Sequence, residues 1–442
     1  MLRPQHRLLV VTRHCPLPEN DGAGAYLFDL LAYLKSAGAQ IDVLWLQPDS
    51  SAFRNGWLIV PRRFNRVARL HYPNAFRFFR LRIFPAIWWL PLKARALNLV
   101  KKALCTVPLF RRRFERRGTK ATQAPSGGGS TWAALPSRTE TSLFRKTFEK
   151  TRPDSVLANY CWLAPLFDDA PGARKLVLTH DVASHRLPLT GAARYDVPTE
   201  LNPATPAGEA ALLKRADVVL AISDSDAEVF RGMHPEKTVL VVPKSAPVPT
   251  RATAARVVPG RCLFVGGRNP PNEEGLRWFL REVWPAVLRE SPDASLHVCG
   301  AVGAVITEPP RNVVVRGRLA DLAPEYAEAA LVVVPLLRGT GMKIKLVEAA
   351  GHGKACVTTP VGLQGMSFLE ESVLCATTPA DFSTAVATVL RDDALRTKLE
   401  TKIHAAARQH LAPDSSYGGV AKWLRLGPQR VQAHARPAIS PA

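Results

Sequence analysis

The chain has 442 residues, with 59 Lys and Arg against 37 Asp and Glu, a formal net charge of +22. That length holds two or three domains of ordinary size, each with a core of its own. A composition of 47% hydrophobic and 22% charged residues excludes wholesale disorder, and 28 Gly and 37 Pro without a strict period exclude a collagen-like chain. The positive excess calls for an anionic partner: nucleic acid, phospholipid or a phosphorylated ligand.

In chain order, Arg7–Thr12 (RLLVVT) predicts a short buried strand and Cys15–Gly24 (CPLPENDGAG) a Pro/Gly loop. Ala25–Ser36 predicts a helix with Leu27, Leu30, Leu31 and Leu34 on one stripe, stopped by Gly38, and Ile41–Leu46 a second strand. A βαβ unit of this size implies a parallel sheet. The charge is then concentrated: between Arg54 and Gly118 stand seventeen Lys/Arg and one acid, Glu115. Aromatics share the stretch, among them Phe76, Phe78, Phe79, Phe84, Trp88, Trp89, Phe110 and Phe114. Pro91 opens a helical pattern carried by Leu92, Ala96, Leu99, Val100, Ala103 and Leu104, which Pro108 ends. A basic, aromatic amphipathic surface fits peripheral docking on an anionic membrane. The plainer reading is a helix packed on its own domain with a solvated basic face. No nucleic-acid motif accompanies the charge, so no nucleic-acid partner is expected. Thr119–Thr141 reads as a flexible loop that belongs to the same insertion.

The alternation then resumes. Ser155–Ala158, Lys175–Thr179, Val218–Ile222 and Val239–Val242 are strand candidates, with helices over Ala207–Ala216 and from Asp224. Pro243–Pro259 is the expected linker. A second series follows: strands at Cys262–Val265, Ser295–Cys299, Val313–Val315, Leu331–Pro335 and Ala355–Thr358, with helices over Leu276–Leu288, Lys343–Gly351, Asp381–Arg391 and Ala394–Arg408. The tail after Gly427 is expected to be disordered. The expected class is therefore α/β, two Rossmann-like domains facing a central cleft, over residues 1–245 (with the insertion at about 54–142) and 260–410, followed by a C-terminal helix and tail over 411–442.

Seven widely spaced cysteines with no Cys-x-x-Cys pair make a zinc ribbon or dithiol site unexpected, and they read as reduced cytosolic thiols. The opening residues hold only a four-residue apolar run before charge returns, too short for a signal peptide, and no uncharged apolar run approaches a membrane span.

The most informative stretch is Leu331–Gly365, LVVVPLLRGTGMKIKLVEAAGHGKACVTTPVGLQG. A buried strand ends in the turn Gly339-Thr340-Gly341, and a helix begins there with Lys343 and Lys345 in or beside its first turn. Exposed N–H groups, a positive helix end and two ammoniums make an anion site, best suited to a diphosphate. Glu348, one turn on, suits a bidentate grip on ribose hydroxyls. The alternative is that Lys345 and Glu348 form an ordinary pair on the helix surface.

This stretch resembles the donor-binding signature of GT-B glycosyltransferases, especially glycosyltransferase family 4 and the related group 1 enzymes. Gly341–Ala349 looks like their Gly-Thr-Arg-Leu-Lys-Val-Leu-Glu-Ala pattern, Cys262–Phe279 is similar to their first strand and phosphate loop, and Asp21–Ala25 resembles their N-terminal glycine loop. The resemblance implies a C-terminal half that binds a nucleotide-diphospho-sugar and an N-terminal half that binds the acceptor. Arg268, Lys343 and Lys345 would hold the diphosphate, with Gly339, Thr340 and Gly341 in the same donor loop, and Glu348 would hold the ribose. Gly22 and Gly24 would let backbone N–H groups approach the donor phosphates or the acceptor. His180, at the end of a predicted strand, matches a histidine that contacts the donor sugar; its plainer reading is a cap or loop residue. In one respect the chain departs from the family: many members carry a second glutamate eight positions before the one matching Glu348, and here that position is Thr340. This leaves the donor sugar and the retaining outcome open.

Asp224-Ser225-Asp226 matches a metal-binding Asp-x-Asp, but Ser223 and Asp226 form a helix-capping pattern, and the resemblance implies no bound metal. Asp168-Asp169 reads as a solvated turn before Pro171. The expected function is a cytosolic glycosyltransferase, peripheral on the membrane, that passes a sugar to an envelope or lipid-linked glycan precursor with retention and needs no cofactor. A sugar-nucleotide epimerase of the same architecture, or a non-catalytic nucleotide-sugar-binding homologue, is the alternative.

Overall fold

The computed structural model describes residues 6–14, 22–46, 57–72, 76–78, 81–83, 133–189, 198–246, 248, 257–319 and 321–426. The helical pattern after Pro91, most of the loop before Thr141 and the tail after Gly427 lie outside these residues.

The first sheet has seven strands, all parallel: β1 (Arg7–Thr12), β2 (Gln40–Trp45), β4 (Arg69–His71), β7 (Ser155–Asn159), β8 (Arg174–Leu178), β9 (Val218–Ala221) and β10 (Thr238–Val241). Their spatial order is β10-β9-β8-β7-β1-β2-β4. The chain thus builds outward in one direction from β1 and in the other from β7. The basic insertion contributes a small antiparallel sheet of β3 (Trp57–Ile59), β6 (Leu81–Ile83) and β5 (Phe76–Phe78). The second sheet is also parallel, in the order β13-β12-β11-β14-β15-β16, from β11 (Arg261–Val265), β12 (Ser295–Cys299), β13 (Val313–Gly317), β14 (Leu331–Val334), β15 (Cys356–Thr358) and β16 (Leu374–Cys375). It reverses between β11 and β14. These two reversals are topological switch points, where crevices open beyond the carboxyl ends of the strands.

The apolar runs read as strands because helices cover both faces of each sheet. Leu8–Val11 and Leu331–Val334 are buried without alternation. One buried cluster spans both halves and joins Leu27, Leu30 and Leu34 to Leu346, Val347 and Tyr417. The last helix, Pro413–Trp423, packs back on the first: Tyr33 donates to Asp414 Oδ1 at 2.8 Å, and Tyr417 Oη accepts from Ser245 N at 3.0 Å. The described cysteines Cys161, Cys262, Cys299, Cys356 and Cys375 are free.

Several expectations need correction. The first helix is Gly22–Ser36, so Gly22 and Gly24 lie in its first turn instead of in a loop. The last four residues of the loop expected over 119–141 already belong to the helix Arg138–Thr151. The expected helix Leu276–Leu288 is Pro270–Trp278, a wider π turn Phe279–Val283, and Trp284–Glu290. Pro285 has no N–H to return to Arg281, and the wider turn absorbs that gap. Asp168 and Asp169 end a 3₁₀ helix, Cys161–Asp169, and face arginines: Asp169 Oδ1 accepts from Arg145 Nη2 at 2.7 Å, and Asp168 lies 3.6 Å from Arg215.

Arg13, just past β1, anchors the helix Arg138–Thr151. Its buried guanidinium donates to Glu140 at 2.8 and 2.9 Å and to the carbonyls of Ala134 and Leu135. Glu140 also completes a capping box with Ser137. Burial alone would raise the Glu140 carboxyl, but Arg13 and Ser137 hold it below its ordinary value. Arg13→Met strands a buried carboxylate and should cost about 3–5 kcal/mol in urea unfolding. The contribution of Glu140 is present above its unfolded pKa and is lost as pH falls through the depressed folded value. The gap between wild type and Arg13→Met should therefore narrow below about pH 4.5.

Candidate functional site

Residues from both switch points meet in the cleft. On the C-terminal side, β14 runs into the turn Gly339-Thr340-Gly341, with φ of 136° at Gly339 and 67° at Gly341. Lys343 is the N-cap of the helix Ile344–Gly351. Its Nζ folds back to donate to the carbonyls of Thr340 and Gly341, at 3.1 and 2.5 Å, and to Gln364 Oε1 at 3.3 Å. Lys345 points inward. Its Nζ donates to Asn272 Oδ1 at 2.6 Å and lies 4.7 Å from the centre of the Phe264 ring, while Asn272 Nδ2 donates to the Gly267 carbonyl. Burial pushes Lys345 down to about 7, helped by Lys343 and opposed by Glu348. Burial also pushes Lys343 down to about 8, against the attraction of Asp181 and Asp226.

Lys345 and Glu348 are therefore not a helix-surface pair. Glu348 Oε2 accepts from Tyr326 Oη at 3.0 Å, and the Tyr326 ring stacks on His352 with centroids 4.7 Å apart. Arg268 stands exposed, with its Nε 3.4 Å from Glu273.

On the N-terminal side, His180 follows β8. Its Nε2 is 2.7 Å from Asn159 Oδ1, and Asn159 Nδ2 donates to Thr12 Oγ1 at 3.0 Å. That orientation of the amide makes Nε2 the protonated ring nitrogen. The imidazole stacks on Tyr160 at 4.3 Å and meets Tyr26 edge-on at 5.2 Å; Tyr160 stacks in turn on Trp162. Tyr160 holds φ 82° and ψ 150°, a conformation that costs a side-chain-bearing residue of order 1–3 kcal/mol and persists where surroundings over-determine it. The ring of His14, two residues past β1, has its centroid 6.5 Å from that of His180. Buried Glu209 supports the next turn by accepting from Ala183 N and Ser184 N, each at 2.9 Å.

The two sides touch. Thr340 Oγ1 donates to Asp181 Oδ2 at 3.3 Å. A Cβ at Gly341 would lie 2.8 Å from the His180 carbonyl, so the approach needs glycine there for space as well as for its positive φ. A Cβ on Gly22 would overlap the Ile344 side chain, which places the start of the first helix against the start of the lysine-bearing one. Gly24 is buried in that same first turn.

Ser223 caps the helix Asp224–Met233 by accepting from Asp226 N at 3.2 Å. Among the described residues, no group of three or more His, Cys, Asp or Glu side chains is placed to hold a metal ion. No helix among them is long and apolar enough to cross a membrane. Sequence reading missed Asn272, Tyr326, Asn159, Tyr160, Asp181 and His14. Of these, Asn159 and His14 carried a signal in their positions at the carboxyl ends of strands.

Residues 259–392 match the family model described as Glycosyl transferases group 1. An uncharacterized 44.6 kDa protein in the cps region of Klebsiella pneumoniae is 30% identical over 115 residues, covering 23% of this chain and 30% of that protein. The match therefore spans less than a third of the relative's length. Among solved structures, HepE of Anabaena in complex with UDP and glucose is 14% identical, with a TM-score of 0.58 over 95% of this chain and 99% of that one. A variant of TarM of S. aureus, in complex with Fondaparinux, alpha-GlcNAc-glycerol and UDP, is 10% identical, with a TM-score of 0.60 over 95% and 99%. Sucrose-phosphate synthase of Thermosynechococcus elongatus is 16% identical, with a TM-score of 0.61 over 95% and 98%. At these identities the structures speak for the fold and the family match for the second half. The chain has the GT-B fold, and its residues 259–392 are similar to the group 1 glycosyltransferases.

Proposed function

We propose that this chain moves a sugar from a nucleotide-diphospho-sugar to a hydroxyl of an envelope or lipid-linked glycan precursor, with retention at the anomeric carbon. The observation that carries the reading is the pair Lys343 and Lys345, buried beneath a glycine turn at a helix N-terminus that faces the other half of the chain. In the transfer, the bond from the anomeric carbon to the diphosphate oxygen breaks with its electrons going to that oxygen, the acceptor hydroxyl oxygen bonds the anomeric carbon, and the hydroxyl proton leaves with the departing diphosphate. Cations fixed beside the diphosphate oxygen stabilise the charge as it develops, and do so more strongly in a site that excludes water. In this reading Arg268 joins the lysines on the diphosphate, Glu348 takes the ribose, His180 contacts the sugar, and Gly22 and Gly24 let the first helix approach the donor or acceptor. The lysines supply the positive charge, so the reaction calls for no bound metal or cofactor. HepE and TarM are both described in complex with UDP, which supports a uridine donor, and the cps-region relative supports an envelope polysaccharide. The seventeen basic residues between Arg54 and Gly118 support docking on the anionic inner face of the membrane.

A thermal-shift panel of UDP-, GDP-, ADP- and dTDP-sugars tests the donor reading. One nucleotide class at about 100 times its dissociation constant should add about 2.7 kcal/mol to the wild type and far less to Glu348→Ala. No shift with any of them would overturn the reading.

Burial lowers both lysines, whereas a bound diphosphate keeps them charged, so binding should take up protons above about pH 7. Affinity should be highest below that pH and fall between pH 7 and 9, by up to roughly tenfold per unit for each proton taken up. Calorimetry at pH 8 in two buffers of different ionisation enthalpy checks this; equal heats would contradict it. In vesicle flotation, the chain should float with anionic liposomes and release as salt rises. No flotation at physiological salt removes the membrane from the proposal.

A further inference from the structure

Asp181 sits in the turn that leaves β8, directly after His180, and is 8% exposed. Its two oxygens have different surroundings. Oδ2 is 2.5 Å from Arg186 Nε and accepts from Thr340 Oγ1 across the cleft. Oδ1 is buried and has no hydrogen-bond partner among the described residues. A carboxylate oxygen accepts up to two hydrogen bonds, and burying one with no donor is unfavourable. A ligand that brings a donor relieves that cost.

The neighbours restrict which donor it is. Arg186 pairs with Asp181, and Lys343 interacts electrostatically with both Asp181 and Asp226. These cations disfavour a positively charged ligand group, and the carboxylate itself repels an anionic one. What remains is a neutral donor, and on the sugar of a nucleotide-diphospho-sugar the neutral donors are chiefly hydroxyls. The position is also defined along the donor: the turn Gly339-Thr340-Gly341, which leads into the lysine-bearing helix, presses Gly341 against the His180 carbonyl with Asp181 Cβ next to it.

We propose that Asp181 accepts a hydrogen bond from a hydroxyl of the transferred sugar through Oδ1, and so helps determine which sugar the site takes. The inference rests on the donor reading above. It places the carboxylate of the sugar site on the N-terminal half, opposite the uncharged Thr340, so that sugar recognition is complete only when the two halves are in contact.

The test compares free diphosphates with their sugar conjugates: UDP with UDP-glucose, GDP with GDP-mannose, ADP with ADP-glucose, and dTDP with dTDP-glucose. Calorimetry measures each pair on wild type and Asp181→Asn. For the nucleotide that binds, Asp181→Asn should not weaken the free diphosphate, since it removes a negative charge beside Lys343, and should lose roughly 10- to 100-fold for the sugar conjugate. Equal losses for both ligands, or none for either, overturn the inference. A wild type that binds no member of the panel overturns the donor reading and this inference with it. A wild type that binds a sugar conjugate no more tightly than Asp181→Asn does overturns this inference alone. If Asp181→Asn does not fold, monodeoxy sugar conjugates on the wild type take its place: loss of the hydroxyl that donates to Oδ1 should weaken one of them roughly tenfold or more, and full affinity for every one of them overturns the inference.

Discussion

The burial of two ammonium groups at the amino end of one helix is the constraint around which the cleft is arranged. A buried lysine is costly unless each of its donors finds an acceptor. Lys343 meets this by folding back on the carbonyls of the turn that precedes it, and Lys345 by reaching Asn272, which follows the neighbouring strand β11, and lying against the Phe264 ring. The Lys343 partners are local, whereas Asn272 and Phe264 come from a segment more than seventy residues away; together they hold the two ammonium groups in a site that water would otherwise screen. The helix N-terminus adds its own positive end to the same place.

Parallel sheets make this placement possible. Each sheet reverses its order once, between β7 and β1 in the first half and between β11 and β14 in the second, and the functional candidates follow those strands. Asn159 ends β7, His14 lies two residues past β1, Arg268 follows β11, and the glycine turn follows β14. His180 comes one strand further out. Fully covered sheets require continuous apolar runs, which is why the scaffold was legible: Leu8–Val11, Leu331–Val334 and Cys356–Thr358 can be read as strands without any partner being known.

The site was legible in part. The glycine turn, the two lysines, Glu348 and His180 are local signals, a turn with charge beside it or a histidine at a strand end. What each side chain faces is not local. Lys345 and Glu348 are spaced as a surface pair would be, and only Asn272 and Tyr326, each more than twenty residues away, turn one inward and hold the other. Gly22 and Gly24 read as a loop because glycine is a poor helix former, yet both lie in the first turn of the first helix, where Gly22 sits against Ile344. Tyr160 lies in a backbone region that its own residue type disfavours, so no propensity argument finds it; the stack with His180 and Trp162 and its backbone bond to Leu178 over-determine it.

That stack begins a chain of support running from the core of the first half to the contact between halves. Asn159 and Tyr160 fix the His180 ring, Glu209 takes the backbone N–H groups of Ala183 and Ser184, and Arg186 takes Asp181. Burial raises the Glu209 carboxyl to about 7 despite those two N–H donors, so this support is itself held against an electrostatic cost. The outcome is a turn, His180–Ser184, held from three sides and left with one face toward Thr340 and Gly341. A turn fixed so firmly in one half gives the glycine loop of the other half a rigid surface to close on. Gly341 sets how near the two come, because any side chain there would meet the His180 carbonyl before Thr340 reached Asp181.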